Sequence, residues 1–151
     1  MGAIMEFATE KQIASFLSTC RIEGQRNFLM AFKKKTWLKS FIDFFIIGGL
    51  YYVQSSVKLK IMSFTPKGIY LMNISDVTEN RPNHVVEMPW NQVKDFTYKP
   101  VLNTVRLNWN YQNEAYIFSV DVGQVSQRVG QYQFNKEHYD YLAQQDFFQS
   151  K

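Results

Sequence analysis

Cysteine is almost missing from this 151-residue chain. Cys20 stands alone, so neither an internal disulfide nor a cysteine zinc cluster can form within it. A lone thiol suits a reducing cytosol better than an exported, bridge-stapled domain, and a cytoplasmic location is expected. No basic leader followed by an apolar stretch and a small-residue cleavage site opens the sequence, so no signal peptide is expected. Met1-Gly2 could begin a myristoylation signal, but Glu6 stands where Ser or Thr is required. Glycine (seven) and proline (four) are too scarce for collagen-like or low-complexity chains, and a charged fraction of 20% is too low for a self-repelling disordered one. Long hydrophobic runs are lacking too. The most apolar stretch, Phe41 to Val53, contains Asp43 and falls short of the ~20 residues that a membrane-spanning helix needs. Neither phosphate-cradling glycine motif occurs, and there is no G-x-S-x-G nucleophile elbow.

What the chain does have is an apolar, ring-rich composition. Aromatic residues make up 17%, a share that suits strands and interfaces, and the net charge of +4 permits an anionic partner without requiring one. Thr9-Glu10-Lys11-Gln12 has capping-box spacing, and Ile13, Phe16, Leu17 and Cys20 follow at helical intervals, predicting a first helix closed by Gly24. A second helical pattern runs from about Asn27 to Ile47. Between Lys35 and Phe45 it places Trp37, Leu38, Phe41, Ile42, Phe44 and Phe45 on one face, with Lys35, Lys39 and Asp43 opposite. Gly48-Gly49 ends it.

From there the period changes to two. Tyr51 to Met62 alternates as a half-buried strand, Pro66-Lys67-Gly68 turns, and Ile69 to Ile74 returns as its hairpin partner. Asp76 to Asn83 reads as a loop. Val85–Met88 and Gln92–Tyr98 read as strands stopped by Pro89 and Pro100. Thr104 to Tyr111 and Tyr116 to Val120 form a second hairpin about Gln112-Asn113, and a weaker strand is expected near Val125 to Tyr132. A last helix is expected to be capped by Asn135, with Tyr139, Leu142, Ala143 and Phe147 facing inward. The expected division is a helical extension over residues 1–50 followed by one β-rich domain over 51–151.

Two short motifs stand out in the β-rich part: Phe64-Thr65-Pro66-Lys67-Gly68-Ile69-Tyr70-Leu71 and Met88-Pro89-Trp90-Asn91-Gln92-Val93. With the final helix they resemble bacterial pleckstrin-homology-like domains over roughly Tyr51 to Phe148. The resemblance implies an α+β fold: an antiparallel barrel or bent sheet with a C-terminal helix, here preceded by the helical extension. It also implies a non-enzymatic binding module with no cofactor, recruited to a partner protein or to the inner membrane surface. Lipid-binding members carry a Lys/Arg-x-Arg arrangement on the first two strands. Lys58, Lys60 and Lys67 supply only part of it and no arginine completes it, so phosphoinositide headgroups are not the expected ligand. The competing architecture is a cystatin- or nuclear-transport-factor-like cone with a small-molecule pocket, which would admit enzymatic activity.

The candidate contact residues are Lys35, Trp37, Lys39, Phe41, Phe45, Lys58, Lys60 and Lys67, because a Trp- and Phe-rich face opposite lysines is the composition of an interfacial helix. That face is equally suited to packing on the protein's own sheet or on another chain, including a second copy. Chemistry is poorly represented elsewhere. His84 and His138 lack metal-ligand spacing and read as solvent-facing or capping, and Cys20 reads as core. Glu87, Asp95, Glu114 and Asp121 are scattered carboxylates; a cone-type pocket would need His84, Glu87, Asp95 or Asp121 to converge. Arg106, Trp109 and Tyr111 interleave base and rings as in single-strand binding, but Trp109 and Tyr111 share an alternating core face, so nucleic acid is not the expected partner.

Overall fold

The computed structural model describes residues 8–23, 26–33, 59–123 and 133–149. The capping box is formed as expected: Gln12 N donates to Thr9 Oγ1 (3.1 Å) and Thr9 N donates to Gln12 Oε1 (2.9 Å), opening helix α1 (Glu10–Thr19). Its stop comes earlier than Gly24. Arg21 adopts φ 61°, Ile22 N donates to the Leu17 carbonyl and Arg21 N to that of Ser18, a left-handed close made without glycine.

Among the described residues seven strands follow: β1 (Phe28–Lys33), β2 (Leu59–Phe64), β3 (Gly68–Asn73), β4 (Val86–Pro89), β5 (Val93–Val101), β6 (Thr104–Tyr111) and β7 (Glu114–Asp121). They form one antiparallel sheet in the order β4-β3-β2-β1-β7-β6-β5, the α+β architecture that the alternating pattern predicts. Helix α2 (Ile74–Thr78) interrupts the β3–β4 connection, and helix α3 (Gln133–Gln144) follows β7.

Several local expectations are corrected. Phe28–Lys33, expected as the start of a helix, is the central strand β1. Residues 76–83, expected as a loop, hold most of α2 and the start of a short 3-10 turn, because the buried Asp76 carboxylate accepts from Asn73 N at 2.9 Å and fixes the helix start. Strand β5 continues through Pro100 to Val101; it is an edge strand, where a missing N–H costs no ladder bond. The expected strand near 125–132 lies outside the described residues.

The sheet carries apolar groups on both faces of β1–β3. Leu29, Ala31, Met62, Phe64, Ile69 and Leu71 join the interior with Val105, Leu107, Trp109, Phe118 and Val120. The alternate residues Phe28, Met30, Ile61 and Met72 point the other way, under Ile13, Phe16 and Leu17 of α1 and Ile74 and Val77 of α2. Trp109 is sandwiched between Tyr116 (5.6 Å between ring centroids) and Phe118 (5.3 Å).

The two sequence motifs meet. Trp90 Nε1 donates to the Thr65 carbonyl at 2.7 Å and Trp90 N to that of Lys67 at 3.2 Å. Gly68 allows this approach, since a Cβ there would lie 2.2 Å from the Met88 carbonyl oxygen.

Helix α3 is joined to β1 by polar side chains buried inside the structure. Asn135, expected as a cap, sits inside a helix that begins at Gln133. Its Oδ1 accepts from Met30 N (3.0 Å), and its Nδ2 donates to the carbonyls of Met30 (2.9 Å) and Asp121 (3.1 Å). The pairing of β1 with β7 begins at Ala31 and Val120, so the amide takes over the ladder just before it, where Met30 and Asp121 have parted. His138, expected to face solvent or to cap the helix, is fully buried: Nδ1 donates to the Phe28 carbonyl (2.8 Å) and Nε2 meets Glu10 Oε2 at 3.0 Å.

After α3 the chain makes a tight turn, Asp146–Phe148, with all three residues at φ 50° to 57°. Each left-handed non-glycine residue costs roughly 1–2 kcal/mol. Burial of Phe147 among Phe64, Phe96 and Tyr98 offsets this, as does the hydrogen bond from the Tyr98 hydroxyl to Asp146 Oδ1 (3.0 Å).

Asn135→Asp keeps the shape of the side chain and removes both donors to the two carbonyls. The expected outcome is a loss of about 2–4 kcal/mol in urea unfolding at neutral pH, with unchanged secondary structure by circular dichroism if folding persists.

Candidate functional site

Of the residues expected to make contact, Lys35, Trp37, Lys39, Phe41, Phe45 and Lys58 lie outside the described residues. The two that are described are not brought together. Lys60 pairs in register with Asn73 and its Nζ donates to Asn73 Oδ1, whereas Lys67 projects from the β2–β3 turn beyond the opposite end of β2. No composite basic face is formed by these two.

The residues with chemical potential are engaged in holding the fold. His84 is more than half exposed and its Nδ1 lies 3.0 Å from Oδ1 of Asp76, the carboxylate that opens α2. His138 is the buried α3–β1 tie. Cys20 packs at the margin of the cluster under α1, where burial pushes its thiol pKa up. Trp109 is buried, with its Nε1 3.3 Å from Met88 Sδ, so it is not available as a stacking platform. Among the described residues no three His, Cys, Asp or Glu side chains gather as metal ligands. No helix of the described residues is long and apolar enough to cross a membrane.

Two open clefts are present. One, of about 460 Å³, lies between α1 and α2 and is lined by Lys11, Ser15, Phe16 and Val77. The other, of about 600 Å³, is lined by Asn91, Lys94, Asp95, Asn110 and Tyr111 where β5 bulges between Lys94 and Thr97. Neither takes in His84, Glu87 or Asp121, so the carboxylates and histidine of a cone-type pocket do not converge in them.

The β5–β6 turn has a feature that sequence reasoning missed. Register pairs Val101 with Thr104, leaving Leu102-Asn103 as a two-residue turn. Leu102 has φ 57° and is 99% exposed. Glycine, asparagine or aspartate is the usual choice where a hairpin turn demands positive φ; leucine there costs roughly 1–2 kcal/mol of backbone strain. Exposing rather than burying its side chain forgoes a further ~1.5–3 kcal/mol. One pair further back, Pro100 opposes Val105, and behind that Lys99 directly opposes Arg106. Both cations are exposed, and neither makes an ion pair with a described carboxylate. Like charges set opposite each other across a ladder repel. The turn is anchored by Val122 N donating to the Asn103 carbonyl (3.0 Å) and by Thr104 Oγ1 donating to that of Val101 (2.8 Å). The signal available in the sequence was Val101-Leu102-Asn103: an apolar pair at a hairpin tip, two residues after Lys99.

In comparisons with known proteins, no family model matches the chain and no curated protein sequence matches it.

The raised thiol pKa of Cys20 sets its reactivity. Alkylation by iodoacetamide in the folded protein should be slower near neutral pH than in the urea-unfolded chain. The gap should narrow only as pH rises above the ordinary thiol range, where the folded thiol also ionises; stopped alkylation read by mass spectrometry measures both rates.

Proposed function

We propose that this chain is a non-enzymatic binding module of pleckstrin-homology-like build that acts at the cytoplasmic face of a membrane, on the lipid surface or on a partner protein there. The observation that carries the reading is the strand order β4-β3-β2-β1-β7-β6-β5 followed by an inward-packed helix α3, with the two resemblance motifs in direct contact through Trp90 and Thr65. That order is compatible with a bent sheet closed by its C-terminal helix, the build that the resemblance implies.

The interior supports binding at the surface rather than chemistry in a cavity. Trp109, Phe64, Phe118, Leu142 and Phe147 fill the space between the strands. The described histidines are committed to structural hydrogen bonds. Basic residues bias such a surface toward anionic partners, in keeping with the net charge of +4. A Lys- and Trp-bearing segment over Lys35 to Phe45 adds the composition of an interfacial element.

Co-sedimentation of the whole chain with phosphatidylcholine vesicles, with and without phosphatidylglycerol, tests the membrane half. Expected is binding to the anionic vesicles that falls with added salt, and a loss of about tenfold or more in the Lys35→Glu, Trp37→Ala double variant. No pelleting with either vesicle would remove the membrane half and leave the partner protein.

A further inference from the structure

We propose that the β5–β6 hairpin tip is a membrane-inserting finger: Leu102 enters the headgroup–acyl boundary of an anionic bilayer while Lys99 and Arg106 sit among the lipid phosphates. The proposal rests on the reading of the chain as a membrane-contacting module and names the element that makes the contact.

Three features converge on this one hairpin end, and each works against the stability of the isolated fold. Leu102 holds a backbone conformation that favours glycine. Its side chain is 99% exposed; among the described residues the other exposed large apolar groups are Val86 at 46% and the neighbouring Val101 at 37%. Lys99 and Arg106 face each other across the ladder without a described carboxylate to separate their charge. Contact with an anionic bilayer offsets the second and third together, since it takes an apolar side chain out of water and gives two cations a layer of phosphates.

The spacing fits. Leu102 lies three residues beyond Lys99, ~10 Å along an extended strand, which is the offset between an apolar group buried ~5–10 Å into the interface and cations at headgroup level. Pro100, Val101 and Val105 fill the interval without adding a charge. The tip is also stiff: a two-residue turn tied to Val122 by a backbone hydrogen bond presents its leucine without an ordering cost. An acidic groove on a protein could also receive a basic hairpin. A single projecting leucine with cations set back from it is the profile of a planar interface with an oily layer beneath charge.

The test uses the full chain with phosphatidylcholine vesicles, with and without phosphatidylglycerol. Leu102→Gly relieves more positive-φ strain than glycine's added freedom in the unfolded chain costs, so it should fold and melt no lower than the unaltered chain, yet bind anionic vesicles about tenfold more weakly. Lys99→Gln with Arg106→Gln should lower the affinity and flatten its salt dependence. Leu102→Trp should show a blue-shifted emission on adding anionic vesicles and none on adding neutral ones. If the unaltered chain binds anionic vesicles and Leu102→Gly binds equally well, the finger is overturned while the membrane reading stands. If the unaltered chain binds neither vesicle, the finger and the membrane reading both fall.

Discussion

The sheet depends on the carboxamide of Asn135. Strands β1 and β7 pair over Ala31 to Lys33 and part at Met30 and Asp121, and a ladder that opens inside a protein leaves N–H and C=O groups with neither water nor a strand to bond. Asn135 supplies one acceptor and two donor hydrogens in a plane, and all three are used, on Met30 N, Met30 O and Asp121 O. The strands can therefore splay without leaving those groups unpaired. Because the amide belongs to α3, the same bonds fix where the helix lies, and through it where Leu142 and Phe147 enter the interior.

Around this join the protein is built in three layers over β1–β3. The interior cluster lies on one face of these strands and the α1–α2 cluster on the other, with alternate residues of each strand assigned to each. On the α1 side His138 packs against the Phe28 and Phe134 rings, bonds to the Phe28 carbonyl on β1 and meets Glu10 on α1. An N-terminal helix that might have been an appendage is thus tied to the C-terminal helix across the central strand.

Much of the fold was legible where one face of a strand meets water. The β6–β7 hairpin, with Gln112 and Asn113 both at positive φ, follows directly from the Val105-Leu107-Trp109 alternation and the turn residues. The β2–β3 turn and the Trp90 segment were legible from their motifs. Strand β1 was not, because Phe28-Leu29-Met30-Ala31 is buried on both faces and shows no period of two. Asn135 and His138 were misread for a related reason: polar residues near a helix start suggest caps or solvent, and only the tertiary arrangement reveals that they serve the backbone of a distant strand. The candidate contact residues from Lys35 to Lys58 were read from helical and strand periodicity, whereas Leu102 becomes noticeable only when its φ and exposure are known.

The two outer strands of the sheet differ from its middle in a way that bears on how copies of this chain meet one another. Strand β4 is four residues long and ends in Pro89; β5 carries Pro100 and a bulge with Asp95 at φ 57°. Neither rim offers the long, flat row of backbone donors and acceptors that a foreign strand needs as a template. A strand of a second copy thus finds no ready template for cross-β growth on either rim of the described sheet.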